Sequence, residues 1–357
     1  MRKLVSLAFL NAALIGSTGA AYAEETSVAN FLDGEVKSEA SLSEACFNEK
    51  GGYELCSYSD SCEPCNDSCS PCIGNWLDNT VVFAGADVYK SIGDRLTNIN
   101  GGTGSLTSSF GGVTGFNTGF ALGDSELRGQ VGGSYGVYDP RGRLAVVPES
   151  TDVETQGFVT AGVYKRGDML HNTDRISYGA VVDSFMADNW GINANTVQMG
   201  QLRGIAGYAL SERFEVGGFG TVHLWHDQAA VTVAGAPSVR REVRAANQAN
   251  LYLRGNTASG GSLMGYVGAF DRADIQSWQF GFTGEAPLSR WFSLYGNANY
   301  AVPGASAGPR GSGEEQFAAQ FGVAYYFGGK AASPTVTGQK GLPLLDVANN
   351  GSFLVTD

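Results

Sequence analysis

Six cysteines carry the densest chemistry in this chain: Cys46, Cys56, Cys62, Cys65, Cys69 and Cys72. The last four form two CxxC units within CEPCNDSCSPC. Thiols at that spacing can form disulfides, hold a soft metal ion or exchange with other thiols. The spacing is not that of a ferredoxin-type cluster, and no histidine follows a CxxC as haem attachment requires. An even count in an exported chain favours disulfides and leaves their pairing open.

The other reactive groups are sparse. His171 falls in a turn. His223 and His226 are three apart in a segment that reads as a strand, where they point to opposite faces and do not form a metal pair. His223 projects with Glu215 and Thr221 and has no evident serine partner, which argues against a hydrolase. Gly304-Ala305-Ser306-Ala307-Gly308 matches GxSxG by letters, yet a nucleophile elbow needs a strand before it and a helix after it. Here Pro303 precedes and Pro309-Arg310-Gly311 follows, so the stretch reads as a loop. No enzyme, cofactor or metal site is expected.

The elements around these groups are strands. In residues 125–138, Leu127, Val131, Tyr135 and Val137 share one side, and Glu126, Arg128, Gln130 and Ser134 share the other. A similar run, 109–122, precedes it across a Gly123-Asp124 turn, which reads as an antiparallel hairpin. Runs of about ten to thirteen residues exceed the five or six of a common strand and suit a tilted strand crossing a bilayer. The pattern recurs at 79–91, 153–165, 174–186, 195–209, 213–226, 238–254, 262–272, 275–286, 291–302 and 315–327, giving twelve segments in all. The first and sixth are blurred, as a bulge would make them. Very short connections follow the second, sixth and tenth segments, and most odd-numbered connections are longer and polar. An even strand count with alternating short turns and long loops predicts a closed antiparallel transmembrane β-barrel of about twelve strands, all-β in class. Backbone groups in a bilayer have no water to bond, so spanning strands must close into a ring.

The remaining regions follow from composition. Residues 1–23 read as a cleaved secretory signal: Arg2 and Lys3, an apolar run from Leu4 to Ile15, and Ala21-Tyr22-Ala23. Residues 24–75 form an acidic, Cys-rich periplasmic extension too small and polar for a sizeable core. The barrel occupies 76–328, and 329–357 form a C-terminal tail that packs beneath it through Leu342, Leu344, Leu345, Phe353 and Leu354. A net charge of -12 excludes nucleic acid as a partner. Aromatic belts are expected at the two rims: Trp76, Tyr164, Phe214, Trp291 and Phe327 at one, Tyr89, Tyr138, Trp225, Trp278 and Tyr300 at the other.

The inward polar sets bear most on function. Glu126, Arg128 and Gln130 come from the third segment. Arg240, Glu242, Arg244, Gln248 and Arg254 come from the eighth, and Gln279, Thr283 and Glu285 from the tenth. They imply a narrow lumen that sorts small hydrophilic solutes, since twelve strands lie between a filled eight-stranded barrel and an open sixteen-stranded one. The alternative is a structural envelope protein held by its barrel in outer-membrane lipid, with a protein partner engaged through the Cys-rich region.

At GFNTGFALGDSELRGQVGGSYGVYD (115–139) the chain resembles a family of planctomycete outer-membrane β-barrel proteins of unassigned function. NWLDNTVVFAGADVYKSIGD (75–94), FGVAYYFGGKAASP (321–334) and GLPLLDVANNGSFLVTD (341–357) carry the same resemblance, which covers roughly residues 76–357. It implies a barrel in the cell outer membrane and implies no substrate or catalytic residue. Barrels usually end on an aromatic residue of the last strand, whereas about thirty residues follow Phe327 here, so the assembly signal would be internal, around Tyr325-Tyr326-Phe327.

Overall fold

The computed structural model describes residues 45–47, 53–55, 74–90, 109–123, 125–139, 153–168, 174–191, 194–231, 239–273, 276–304, 316–332, 335–338 and 341–356. The chain divides into two units, Met1–Cys69 and Ser70–Asp357. In the first, β1 (Ala45–Phe47) and β2 (Tyr53–Leu55) pair as a short antiparallel hairpin. The expected signal peptide and the thiol pairing of Cys56, Cys62, Cys65, Cys69 and Cys72 lie outside the described residues, and of Cys46 only its place in β1 is described.

The second unit opens with one helical turn, α1 (Gly74–Leu77). Seven wall strands follow: β3 (Thr80–Lys90), β4 (Ser109–Ala121), β5 (Arg128–Tyr138), β6 (Glu154–Lys165), β7 (Ile176–Trp190), β8 (Asn195–Ala209) and β9 (Phe214–Trp225). A hairpin, β10 (Asp227–Val231) with β11 (Val239–Ala245), then leaves the wall. The wall resumes as β12 (Gln248–Asn256), β13 (Ser262–Phe270), β14 (Gln276–Pro287), β15 (Phe292–Pro303) and β16 (Gln316–Tyr326), and a two-residue strand, β17 (Val355–Thr356), ends the series. The wall is a closed barrel in which every neighbour is antiparallel; β9 joins β12, and β16 joins β3.

Alternation explains the closure. Val131, Tyr135 and Val137 turn outward on β5, as do Phe321 and Val323 on β16, while Gln130, Gln316 and Gln320 turn in and are buried. On β12, Leu251 is 71% exposed beside the buried Asn250. An apolar exterior around a polar interior is the reverse of a soluble core and fits a lipid-facing wall. At the β4–β5 turn Gly123 adopts φ +62°, which an L side chain rarely takes. Ser125 Oγ donates to the Leu122 carbonyl at 2.8 Å and ties that turn.

Three sequence expectations change. The 238–254 segment is not one strand: it breaks at Ala246-Asn247, where Thr221 Oγ1 donates to the Ala246 carbonyl at 2.7 Å. Residues before the break belong to β11 and not to the wall. The tail does not lie beneath the barrel but runs through it. Of the expected belts, Trp76, Phe214 and Phe327 are exposed at the short-turn rim and Trp225 and Trp278 at the long-loop rim, whereas Tyr164, Tyr89 and Tyr138 turn inward and are fully buried. Their hydroxyls find polar partners inside, which the lipid would not supply. The sixth segment meets a register shift between Gly200 and Gln201, while the first pairs regularly.

Candidate functional site: the lumen and its threaded segment

The tail leaves β16 at the short-turn end. Ala331 N donates to the Arg290 carbonyl and Val336 N to the Glu212 carbonyl, each at 2.9 Å, so it is held first by two turns of that rim. It then enters the ring. Arg166 Nε donates to the Leu342 carbonyl at 2.9 Å and Nη1 to the Thr337 carbonyl at 3.3 Å, while Nη2 donates to the Pro343 carbonyl. Tyr164 Oη donates to the Gly341 carbonyl at 2.8 Å. Gln130 bonds both backbone groups of Leu345: Nε2 donates to its carbonyl at 2.9 Å and Oε1 accepts its N–H at 3.2 Å.

Deeper in, Asp183 organises the contact. Its carboxylate pairs with Arg203 at 3.0 Å and accepts from Thr160 and Gln201 at 2.7 and 2.9 Å. Those partners hold the tail in turn: Arg203 Nη2 donates to the Asp346 carbonyl at 2.6 Å, and Thr160 Oγ1 accepts the Ala348 N–H at 2.9 Å. A turn bonded within itself follows, with Asn349 Oδ1 accepting the N–H groups of Gly351 and Ser352. Asn350 Nδ2 reaches Asp87 at 2.9 Å, and Asn299 Nδ2 reaches the Gly351 carbonyl at 2.8 Å. At the long-loop end Val355 and Thr356 pair with Ala245 and Arg244. The segment therefore crosses the barrel from one end to the other.

Two glycines make room for it. A Cβ on Gly119 would sit 2.2 Å from the Gly341 carbonyl oxygen, and one on Gly132 would sit 2.6 Å from a Val347 methyl. Near the long-loop end the filling becomes apolar. Phe353 packs against Phe158 and Phe185 at ring distances of 6.2 and 5.4 Å, and Val243 and Ala245 of β11 are buried in the same cluster.

The opposite wall is looser. A cavity of about 240 Å³ separates the tail from β12–β16, lined by Arg254, Met264, Thr283, Glu285, Asn297 and Asp346. A second, of about 120 Å³, adjoins it beside Phe219, Tyr266 and Asn299. Asp346 is exposed and lines both. Toward the long-loop end, Gln279 Nε2 donates to Asn250 Oδ1 at 2.5 Å and to Gln248, and a small cluster of Ala246, Phe270, Ala301 and Leu354 lies among the buried side chains.

The sequence candidates sort accordingly. Gln130, Gln248, Arg254, Gln279 and Glu285 face inward. Arg254 pairs with Glu215 at 3.3 Å, and Glu285 accepts from Ser293 and Tyr326. Arg128 is half-buried at the start of β5. Glu126 sits in the short turn, largely exposed, and pairs with Lys165 at 2.5 Å, so it is not a lumen residue. Arg240, Glu242 and Arg244 are likewise not on the wall. They lie on β11, where Val243 and Ala245 take the buried side and leave Arg240 and Glu242 exposed. Sequence reasoning missed Asp183, Arg203, Thr160 and Arg166; the first three lay in segments recognised as strands, and their inward parity was the available signal.

His223 and His226 do not face opposite ways. Gly200 pairs with Trp225 and Gln201 with His223, so Leu224 is an extra residue in β9. That bulge shifts the alternation and brings the imidazoles to 5.7 Å between ring centres. Among the described residues, no group of three or more His, Cys, Asp or Glu side chains is placed to hold a metal ion. The GxSxG stretch lies outside the described residues apart from Gly304.

Several solved barrels are similar in architecture. An outer-membrane channel from Pseudomonas putida F1 is 13% identical, with a TM-score of 0.44, covering 69% of this chain and 95% of that one. The β domain of the Bordetella autotransporter BrkA is 15% identical, with a TM-score of 0.38, covering 70% and 99%. The porin NanC is 9% identical, with a TM-score of 0.36, covering 69% and 98%. At these scores the likenesses carry no argument about substrate. No curated protein sequence matches, and nothing in the comparisons points to a planctomycete origin. A model described as a family of unknown function, DUF6666, matches residues 79–355, more than half of the sequence, and the chain belongs to that family.

Proposed function

We propose that this chain is an outer-membrane barrel acting as a narrow, gated pore for small hydrophilic solutes. The observation that carries this reading is the one-sided interior. The tail is bonded most densely along β4–β8, and beside it lie a wider polar cavity bordered mainly by β12–β16 and a smaller, more apolar one that also reaches β8 and β9. Several water molecules fit in the wider one, since a water occupies about 30 Å³ of liquid. The short-turn end, where both ends of the wall meet, is assigned to the periplasm, and the long-loop end to the outside. The route runs beside the tail and stops at the Gln248–Gln279–Asn250 cluster and Leu354. Opening requires movement of the outer tail and the β10–β11 hairpin, while the inner tail can stay seated. No catalytic step is assigned to the barrel.

A second reading, a structural envelope anchor, is favoured by the filled lumen itself. Planar-bilayer recording separates the two. The full chain should give small, infrequent current steps, and a chain ending at Gly329 should give larger, sustained ones. If the shortened barrel keeps its heat-dependent gel mobility yet stays silent, the pore reading fails and the anchor reading stands.

A further inference from the structure

We propose that the wider cavity beside the tail binds a small zwitterion, an amino acid held with its ammonium group at Asp346 and its carboxylate at Arg166. As the solute class of the same lumen, the inference rests on the pore reading above.

Both residues line that cavity, Asp346 from the tail and Arg166 from just past the end of β6. Each carries a charge that no opposite charge touches. Among the described residues no donor reaches the Asp346 carboxylate, which is exposed to the cavity; Arg203 holds only its backbone carbonyl. Arg166 donates to the carbonyls of Leu342, Thr337 and Pro343, all neutral, and a guanidinium carries more N–H groups than those bonds use. The two charges lie within electrostatic range of each other without forming an ion pair.

The other charges around the cavities have partners. Arg254 pairs with Glu215 at 3.3 Å and Arg203 with Asp183 at 3.0 Å. Lys330 Nζ donates to Asn79 Oδ1 at 2.9 Å, and Glu285 accepts from Ser293 and Tyr326. A lone cation or anion would therefore bring an unmatched charge into an enclosed space, which is costly. A zwitterion serves Asp346 and Arg166 together and leaves the balance unchanged. Asn117 points to the same ligand. It lines the cavity at 7% exposure, its Nδ2 donates to the Leu345 carbonyl at 2.9 Å, and its Oδ1 is buried without a hydrogen-bond partner. An ammonium group supplies the donor that this oxygen lacks. The cavity extends to the short-turn end, where Lys330, Ala331 and Val336 line it, so a solute can enter while the outer tail stays in place. Alanine displaces only a few waters' worth of volume and fits within about 240 Å³.

The test is methyl NMR of the full chain folded in detergent, with the methionine methyls labelled. Met264 lines both cavities, and Met264→Leu assigns its signal. L-Alanine should shift the Met264 methyl saturably, in the millimolar range suited to so small a ligand. Ethylammonium chloride and sodium acetate each carry half of the charge pattern and should bind at least about tenfold more weakly; so should alanine to Asp346→Asn, while Asp346→Glu retains it. The Asp346 carboxylate has no bond to lose, so heat-dependent gel mobility should be unchanged in both variants; if it is not, the comparison of the three ligands on the wild type decides. Equal affinity for ethylammonium or acetate would overturn the zwitterion. No response of Met264 to alanine, or undiminished binding by folded Asp346→Asn, would overturn the site. Binding is read without current: a silent barrel that binds alanine defeats the pore reading alone, and a conducting one that does not bind it defeats this inference alone.

Discussion

The two halves of the barrel wall meet the same segment in different ways. β4–β8 grip it: Gln130 takes both backbone groups of Leu345, and the Asp183–Arg203 pair bonds the carbonyl of Asp346. β12–β16 stand off from most of it across about 240 Å³ of space, with Asn299, Gln316 and Gln320 reaching over. The gripping side carries glycines where the tail comes closest, and the loose side carries long polar side chains that end in the cavity. Tightness on one face and slack on the other separates the part that holds the segment from the part that could pass a solute.

The largest break of this contrast is removal of the segment. Ending the chain at Gly329 strands Arg203, Thr160, Gln130 and Arg166 without their tail partners, and the temperature at which the barrel unfolds on gels should fall further than for any single substitution. Next is Asp183→Ala, which leaves the Arg203 guanidinium buried and unpaired; loss of one partner of a buried ion pair costs about 3–5 kcal/mol. Urea unfolding in detergent should show it, and Arg203→Met with Asp183→Leu should recover much of the loss. Gly119→Val places a branched side chain against the Gly341 carbonyl, and the tail should lose protection from proteases while the wall keeps its own. Gln130→Ala removes two hydrogen bonds to Leu345 and should cost about 1–3 kcal/mol by the same unfolding measurement. On the loose side, Thr283→Val should change stability by less than about 0.5 kcal/mol. A large loss at Thr283 would mean that the β14 wall is as engaged as β5.

The wall was legible in the sequence because a bilayer imposes strict alternation on every spanning strand. Leu251 and Leu253 against Asn250 and Arg254 could be assigned to opposite faces from their spacing alone. The same rule misled in two places. Alternation continued through Ala246-Asn247 into β11, although the chain had left the wall, so Arg240, Glu242 and Arg244 were expected inside. At Leu224 one extra residue shifted the parity and joined two histidines that spacing had separated. The tail gave no period at all. Its leucines and Phe353 announced burial, but what they pack against is assembled from strands scattered along the sequence, Phe158 and Phe185 for Phe353 and Phe270 and Ala301 for Leu354, and no local pattern encodes that.

A ring closed between β3 and β16 around the polypeptide's own trailing end resembles a bead on its own string. The seam is formed by the first and last staves, so the hoop cannot be fastened until the cord that follows the last stave is already laid inside it or drawn through afterwards. Any bulky folded cargo fused behind Asp357 would have to travel that bore. An affinity tag placed there should therefore hinder maturation far more than one inserted into the exposed turn at Glu126.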